Sequence, residues 1–323
     1  MKFGYTINNK LMMNSNGKLL GVDPYNPLNL PQGTIRVRTN DGQPPVNGSY
    51  NSATLVEGTT DVYDVYRGGD ILLNVLDNST NVIDVLGANT EGVTVADGMF
   101  HGCTALSSVV SFDASTMKSM KSTFEGCSSL TDAPYLYTTN VTHMWMIFKG
   151  CASLTSVPLY DTSKVTRNGG FIEAFMNCSS LTSVPLFDLS NVDTLTRTFY
   201  GCTSLVSVPK FDIENAYGMP STFANCTSLT TIPLFDTRNI KHMNHTFQNC
   251  TSLTSIPLFD TGNLLDMGYA FDNCVNVQSG ALSLYKQAST QSFVPGHTHT
   301  FTNCGINTES GSAELAQIPS DWK

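Results

Sequence analysis

NCTSLTSIPLFDT, residues 249–261, is one sentence of a chain that writes it repeatedly: NCSSLTSVPLFDL begins at Asn177 and NCTSLTTIPLFDT at Asn225. The cysteine keeps time. Cys103, Cys127, Cys151, Cys178, Cys202, Cys226, Cys250, Cys274 and Cys304 are separated by 24, 24, 27, 24, 24, 24, 24 and 30 residues. With each cysteine as position 1, the unit reads C-[ST]-S-L-T-S-V-P-L-F-D-T-x-N-V-x-x-M-x-x-x-F-x-[GN]. The two long spacings are local insertions, one around Asn168-Gly169-Gly170 and one in 283–300.

A unit of this length cannot bury its own apolar side chains, whereas stacked units place like upon like and share one core. The fold class expected is therefore a repeat solenoid, mainly β with little helix. Positions 1, 4, 7, 10, 15, 18 and 22 point inward, and neighbouring turns pair as parallel strands. Position 4 is Leu from Leu106 to Leu253, and position 22 is Phe from Phe100 to Phe271, with Phe301 continuing the series. A weaker unit precedes Cys103, carrying Val82, Val85 and Val93, and a broken one ends the chain at Leu315, Ile318 and Pro319. Position 24 is always Gly or Asn, the residues that tolerate a left-handed backbone, so a positive φ is expected before every cysteine.

F-x-x-C-x-S-L-T-S-[VI]-P followed by F-D-T-x-N-V-x-x-M resembles the BspA-like leucine-rich repeats of bacterial surface proteins, which also occur in phage-encoded proteins. The likeness covers roughly residues 79–282 and the last twenty or so. Departures are few: Tyr137 stands for the Asp, Lys210 for the apolar position 9, and Ala216 for the aliphatic position 15. The resemblance implies a curved right-handed solenoid with a non-enzymatic adhesive or ligand-binding role.

Outside the repeat, residues 1–60 read as a small β-rich attachment domain and 61–78 as a linker and N-terminal cap. Within the second, a short helix is expected, N-capped by Asp70. Residues 79–282 are the solenoid and 283–323 the C-terminal cap, where ALSLYKQAST suggests a helix.

The residues offer no catalytic set, no cofactor motif and no metal site. The cysteines form a ladder with no cationic neighbour, which fits buried free thiols acting as small hydrophobes. Asp113, Asp161, Asp188, Asp212, Asp236 and Asp260 recur at position 11, once per turn, as expected of Asx turns and too sparsely for a calcium ladder. His297-Thr-His299 has the spacing of a metal pair but lacks a third ligand. The Ser and Thr rows at positions 3, 5 and 6 read as a soluble β-surface. Val206 and Asp132 interrupt them, which disfavours ice binding.

Variation between copies concentrates at positions 16, 17, 19, 20 and 23. Trp145, Met146, Arg197, Tyr217, Lys241, His242, His245, Asp266 and Tyr269 are the candidate ligand-binding face, with the inserted loop 168–173 expected to protrude there. The charge of -9 disfavours nucleic acid, and no apolar run is long enough for a membrane span. The N-terminus lacks a signal-peptide core, so synthesis in a cytosol is expected. A phage structural protein needs no such signal. The expected function is thus a virion accessory component, of tail or capsid, contacting a host-surface protein or glycan. Its N-terminal domain would hold it to other virion proteins. The alternatives are a bacterial surface or secreted adhesin and a structural decoration without ligand.

Overall fold

The structure, a computed structural model, describes residues 28–166 and 170–323 and the backbone of two short antiparallel strands, β1 (Thr6–Ile7) and β2 (Lys10–Leu11). The turn signal at residues 14–18 lies outside the described residues.

The chain winds as a solenoid whose rungs are tied by two ladders. In the first, the N–H groups of positions 18, 20, 22 and 24 donate to carbonyls at 17, 19, 21 and 23 of the next rung. Met120 donates to His143, Ser122 to Trp145, Phe124 to Ile147 and Gly126 to Lys149, at 2.7–2.9 Å. Tight turns close each rung, such as the Cys127 N–H on the Phe124 carbonyl at 3.1 Å. These turns need a left-handed residue twice per rung. Position 24 supplies one, with φ of 76° at Gly126 and 60° at Asn249. Position 20 supplies the other with ordinary side chains, among them Ser122, Met146, Arg197, Ser221, His245 and Tyr269, all between 52° and 58°.

The second ladder runs through positions 3 to 5, as in Ser204 N–H to Ser179 and Thr230 N–H to Val206. Hydroxyls reinforce it: Thr230 and Thr254 also donate Oγ1–H to the previous rung's carbonyl. Among the described residues, parallel strands extend only at the start, where β6 (Val82–Ala88) pairs with β7 (Ser108–Val109). There the Val110 N–H reaches the Val85 carbonyl. From Pro134 onward, position 8 is proline and has no N–H to give. In this ladder pairing then narrows to single parallel bridges, Asp132–Ser156 and Ser255–Ser279.

The inward positions form one continuous core. All nine cysteines are buried and unpaired. Each Sγ–H from Cys127 to Cys274 donates to a carbonyl at position 22 of an earlier rung, as Cys127 does to Phe100 at 3.1 Å and Cys250 to Phe223 at 3.2 Å. The cysteine is therefore a weak donor to a buried carbonyl as well as a small hydrophobe. Burial pushes the thiols of Cys103, Cys202 and Cys304 up to about 12 and the other six well above their ordinary value. Burial thereby disfavours a nucleophilic thiolate at neutral pH.

All six position-11 aspartates close Asx turns, each Oδ1 accepting the N–H two residues on, at 2.8–3.3 Å. Position-12 threonines bind the next rung: Thr138 donates to the Asp161 carbonyl and Thr237 to that of Asp260.

At the N-terminal end, β3 (Thr34–Thr39) pairs antiparallel with both β5 (Val62–Tyr66) and β6, and β4 (Ser52–Leu55) lies outside β5. The order β4-β5-β3-β6-β7 carries one sheet from this unit into the solenoid. Its β4–β5 pair straddles residue 60, and Ile35, Val37 and Val65 join the same core. The helix expected after Asp70 is not formed. Leu72 and Leu76 occupy positions 18 and 22 of an earlier half-rung, Asn74 and Asn78 take φ of 53° and 56°, and their N–H groups bond to the next rung.

At the other end, α1 (Ala281–Ser289) lies where a helix was expected, and α2 (Glu309–Ala316) is capped by the Thr308 hydroxyl accepting from Gly311 at 3.0 Å. Leu315 belongs to α2 and is not a position-4 residue, although Ile318 is buried in the core. The segment 170–173 does not protrude. Phe171 takes position 18 of its rung, 1% exposed, and packs edge-on against Phe175 and Phe187. Asn168 lies outside the described residues.

Candidate binding face

Positions 16, 17, 19 and 20 sit in or beside the first ladder, so their side chains form columns along the solenoid. Trp145, Arg197, Tyr217 and Lys241 are exposed, and Met146, His242, His245, Asp266 and Tyr269 are half-buried. The nine do not form a single site.

One patch lies about the insertion. Lys149 Nζ bridges Glu125 at 3.4 Å and Glu173 at 2.9 Å, and Arg197 reaches Glu173 at 3.4 Å. Burial works against the Lys149 ammonium, but its hydrogen bond to Glu173 and the charge of Glu125 outweigh that and raise its pKa. Met146 Sδ is 3.8 Å from Lys149 Nζ. This alternating chain of charges crosses four rungs and engages Arg197. Trp145 stands exposed beside it.

The other patch lies near the C-terminal end. The His245 ring stacks on Tyr269 with centroids 4.7 Å apart and planes within 6°, and Tyr269 meets His299 at 5.0 Å. Asp266 Oδ1 accepts the Gly268 N–H at 2.9 Å. His245 Nδ1 lies 3.0 Å from Gln248 Oε1, and the Gln248 amide donates to Asp272 at 2.8 Å. Together these rings and loops enclose a groove of about 250 Å³ whose walls include Asn244, His245, Asp266, Tyr269, His297 and Thr298.

A family described as a Mycoplasma protein of unknown function, DUF285, matches residues 72–178 and 169–284. The chain belongs to the DUF285 family. No curated protein matches it. Among solved structures, the T. pallidum leucine-rich repeat protein TpLRR is similar at 16% identity, covering 84% of this chain and 93% of that one, with a TM-score of 0.34. A leucine-rich repeat protein from Bacteroides ovatus is similar at 15% identity, over 84% of this chain and 90% of that one, with a TM-score of 0.25.

In this DUF285 chain, the His297–His299 pair divides. His297 stacks on Trp322 at 4.2 Å and approaches Asp321 at 3.3 Å, while His299 extends the Tyr269 stack. Among the described residues, no three His, Cys, Asp or Glu side chains cluster as metal ligands. None of their helices is long and apolar enough to cross a membrane.

Asn244, His297, Thr298 and His299 were absent from the face chosen on sequence, which weighed His297 and His299 only as a metal pair. The 30-residue spacing hides the last three when positions are counted forward from Cys274. Counted back from Phe301, His299 falls at position 20, with φ 57°. Tyr269 N–H donates to the Thr298 carbonyl as that register requires.

Proposed function

We propose that this chain is a non-enzymatic binding scaffold whose ligand sits in the groove between His245, Asp266, Tyr269 and His297. The observation that carries this reading is the convergence of three variable-face residues, His245, Asp266 and Tyr269, on one concavity whose wall also holds Asn244 and Thr298. Aromatic edges beside a carboxylate, an amide and a hydroxyl suit a ligand with both polar and apolar faces, such as a glycan or a polar protein loop. The setting that fits the repeat is a phage particle presenting the solenoid to a host surface. There strand β4, the outer strand of its sheet among the described residues, offers an edge to a neighbouring virion protein. The description of the family as a Mycoplasma protein favours a second setting, a bacterial surface or secreted adhesin.

The test is glycan-array and whole-cell binding by the full chain, with Tyr269→Ala, Asp266→Asn and Trp145→Ala beside it. Loss in the first two with retention in the third locates the ligand in the groove. Equal binding by all four proteins rejects the groove. Immuno-electron microscopy of phage particles and of bacterial cells separates the two settings.

A further inference from the structure

The groove beside Tyr269 is lined in part by two glycines, Gly268 and Gly296. Neither has the left-handed backbone that favours glycine. What they supply is space. A Cβ at Gly296 would lie 3.2 Å from Asp266 Oδ1, and one at Gly268 would lie 3.3 Å from the same atom and 3.4 Å from the Thr298 carbonyl. The two missing side chains leave the Asp266 carboxylate open to the groove.

The chemistry left open there is that of an acceptor. Asp266 Oδ1 takes the Gly268 N–H at 2.9 Å, while Oδ2 has no partner among the described residues. The tautomer of His245 follows from its neighbours. The Asp272 carboxylate only accepts, so the Gln248 amide turns its NH2 to Asp272 at 2.8 Å and its oxygen to His245 Nδ1 at 3.0 Å. The His245 proton therefore sits on Nδ1, and in the neutral ring Nε2 keeps its lone pair. His297 is engaged already, Nδ1 by the Pro295 carbonyl at 2.8 Å and Nε2 by Asp321 at 3.3 Å. No Lys or Arg lines the groove to answer the Asp266 charge.

An unanswered carboxylate beside a bare imidazole nitrogen calls for a cationic donor. A guanidinium fork asks for both oxygens of one carboxylate, and here Oδ1 is taken up by Gly268. A primary ammonium brings three donors to separate acceptors, which suits Asp266 Oδ2, His245 Nε2 and the Thr298 hydroxyl. The Asn244 amide and the Tyr269 hydroxyl, also without partners among the described residues, remain for hydroxyl groups on the same ligand. A lysine stem has none, whereas a sugar ring has several. Both faces of Tyr269 are met by His245 and His299, so recognition falls to these polar contacts and not to ring stacking. About 250 Å³ is below the roughly 300–1,000 Å³ of whole-ligand pockets and suits one sugar residue. We propose that the groove binds the free ammonium of an unacetylated amino sugar within a glycan. This rests on the groove being the binding site.

Isothermal titration of the full chain with a glucosamine tetramer, its fully N-acetylated counterpart and a lysine tetrapeptide tests it. The glucosamine tetramer should bind at least about tenfold more tightly than either of the others. Asp266→Asn keeps the oxygen that accepts the Gly268 N–H and removes the charge, and should weaken that binding at least about tenfold. Asn244→Ala should weaken it several-fold, with circular dichroism checking that the fold is kept. Equal binding of both sugar tetramers, lost in Tyr269→Ala, overturns the ammonium and leaves the groove standing as the site. Glucosamine binding unchanged in Asp266→Asn and Tyr269→Ala overturns both. A lysine tetrapeptide that binds as tightly as the glucosamine tetramer and is lost in Asp266→Asn overturns the sugar in favour of a basic protein segment. Failure of the glucosamine tetramer to bind overturns the proposal outright, while loss of whole-cell binding in Tyr269→Ala would still keep the groove.

Discussion

The indole of Trp322 lies against the ring of Phe301, centroids 6.2 Å apart and planes 18° apart, and so ends the column that begins at Phe100. The Phe301 N–H donates to the Trp322 carbonyl at 2.9 Å, the bond that every earlier position 22 makes to the next rung. The last residues thus stand in for a missing rung, and they shield an end that would otherwise be bare core. Trp322→Ala removes that cover from a side chain only 3% exposed. A loss of about 3–5 kcal/mol is expected, confined at first to the final rungs because a solenoid transmits stability only between neighbours. Hydrogen exchange resolved along the chain checks this. Protection should fall around Phe271 and Phe301 and persist around Phe124, and a uniform fall would reject the cap.

The thiol column makes the protein sensitive to alkali. Burial raises Cys103, Cys202 and Cys304 to about 12, whereas unfolded thiols ionise near 8.5. Above about pH 8.5 the unfolded chain therefore releases protons that the folded chain keeps. The thiols' contribution is complete below that pH and is lost as the pH rises toward the folded values. Each thiol adds a slope of up to roughly 1.4 kcal/mol per pH unit. Urea midpoints should hold steady near neutrality and fall steeply above about pH 9. Cys226→Ala/Cys250→Ala, with two fewer thiols, should fall less steeply from a lower starting stability. An identical slope would show that other groups govern the transition.

Position 24 separates two reasons for one residue. Asn249 has φ 60°, and its amide donates to Asn225 at 2.8 Å while its oxygen accepts from Asn273 at 3.0 Å. Asn249→Gly keeps the backbone and loses the amide ladder, at about 0.5–1.5 kcal/mol per bond. Asn249→Ala loses the ladder and also strains the turn, by about a further 1–2 kcal/mol. Melting temperatures should rank wild type above Gly and Gly above Ala. If Ala matches Gly, the left-handed turn is not what restricts this position.

Much of this architecture was legible because the repeat is its own alignment. Positions 1, 4, 10, 15, 18 and 22 show their inward facing by staying apolar, and the alternation of Gly and Asn marks one turn. The other left-handed turn was invisible. From Ser122 to Tyr269 position 20 holds Ser, Met, Glu, Arg, His and Tyr, none of which signals a positive φ, since the conformation is imposed by hydrogen bonds from the neighbouring rungs. The half-rung at Leu72–Asn78 was hidden because counting began at a cysteine and the first one is Cys103. The groove proposed as a site was half legible: its His245, Asp266 and Tyr269 varied between copies, but its far wall came from the insertion after α1, where the spacing fails. Position 9 stood outside the inward set although mostly apolar, and Leu159, Leu186, Leu234 and Leu258 there are exposed.

Position 20 offers a last test, of whether the binding face or the scaffold dictates its residues. Ser221 and Tyr269 adopt φ of 54° and 58°, a conformation costing an L-residue about 1–2 kcal/mol. Glycine relieves that cost at either site, less what it gives up in unfolded-state entropy. At Ser221 little else is lost, so Ser221→Gly should raise the melting temperature by a degree or more, since roughly 1 kcal/mol shifts a chain of this size by about 2 °C. At Tyr269 the ring lies between His245 and His299, and ring pairs of this kind contribute about 0.5–1.5 kcal/mol each. Tyr269→Gly should therefore leave the melting temperature level or lower it. A rise at both sites of the same size would mean that the aromatic stack contributes nothing to the fold, and that Tyr269 is retained against strain for what it contacts outside the chain. A fall at both would show that the left-handed strain has been overestimated throughout the column.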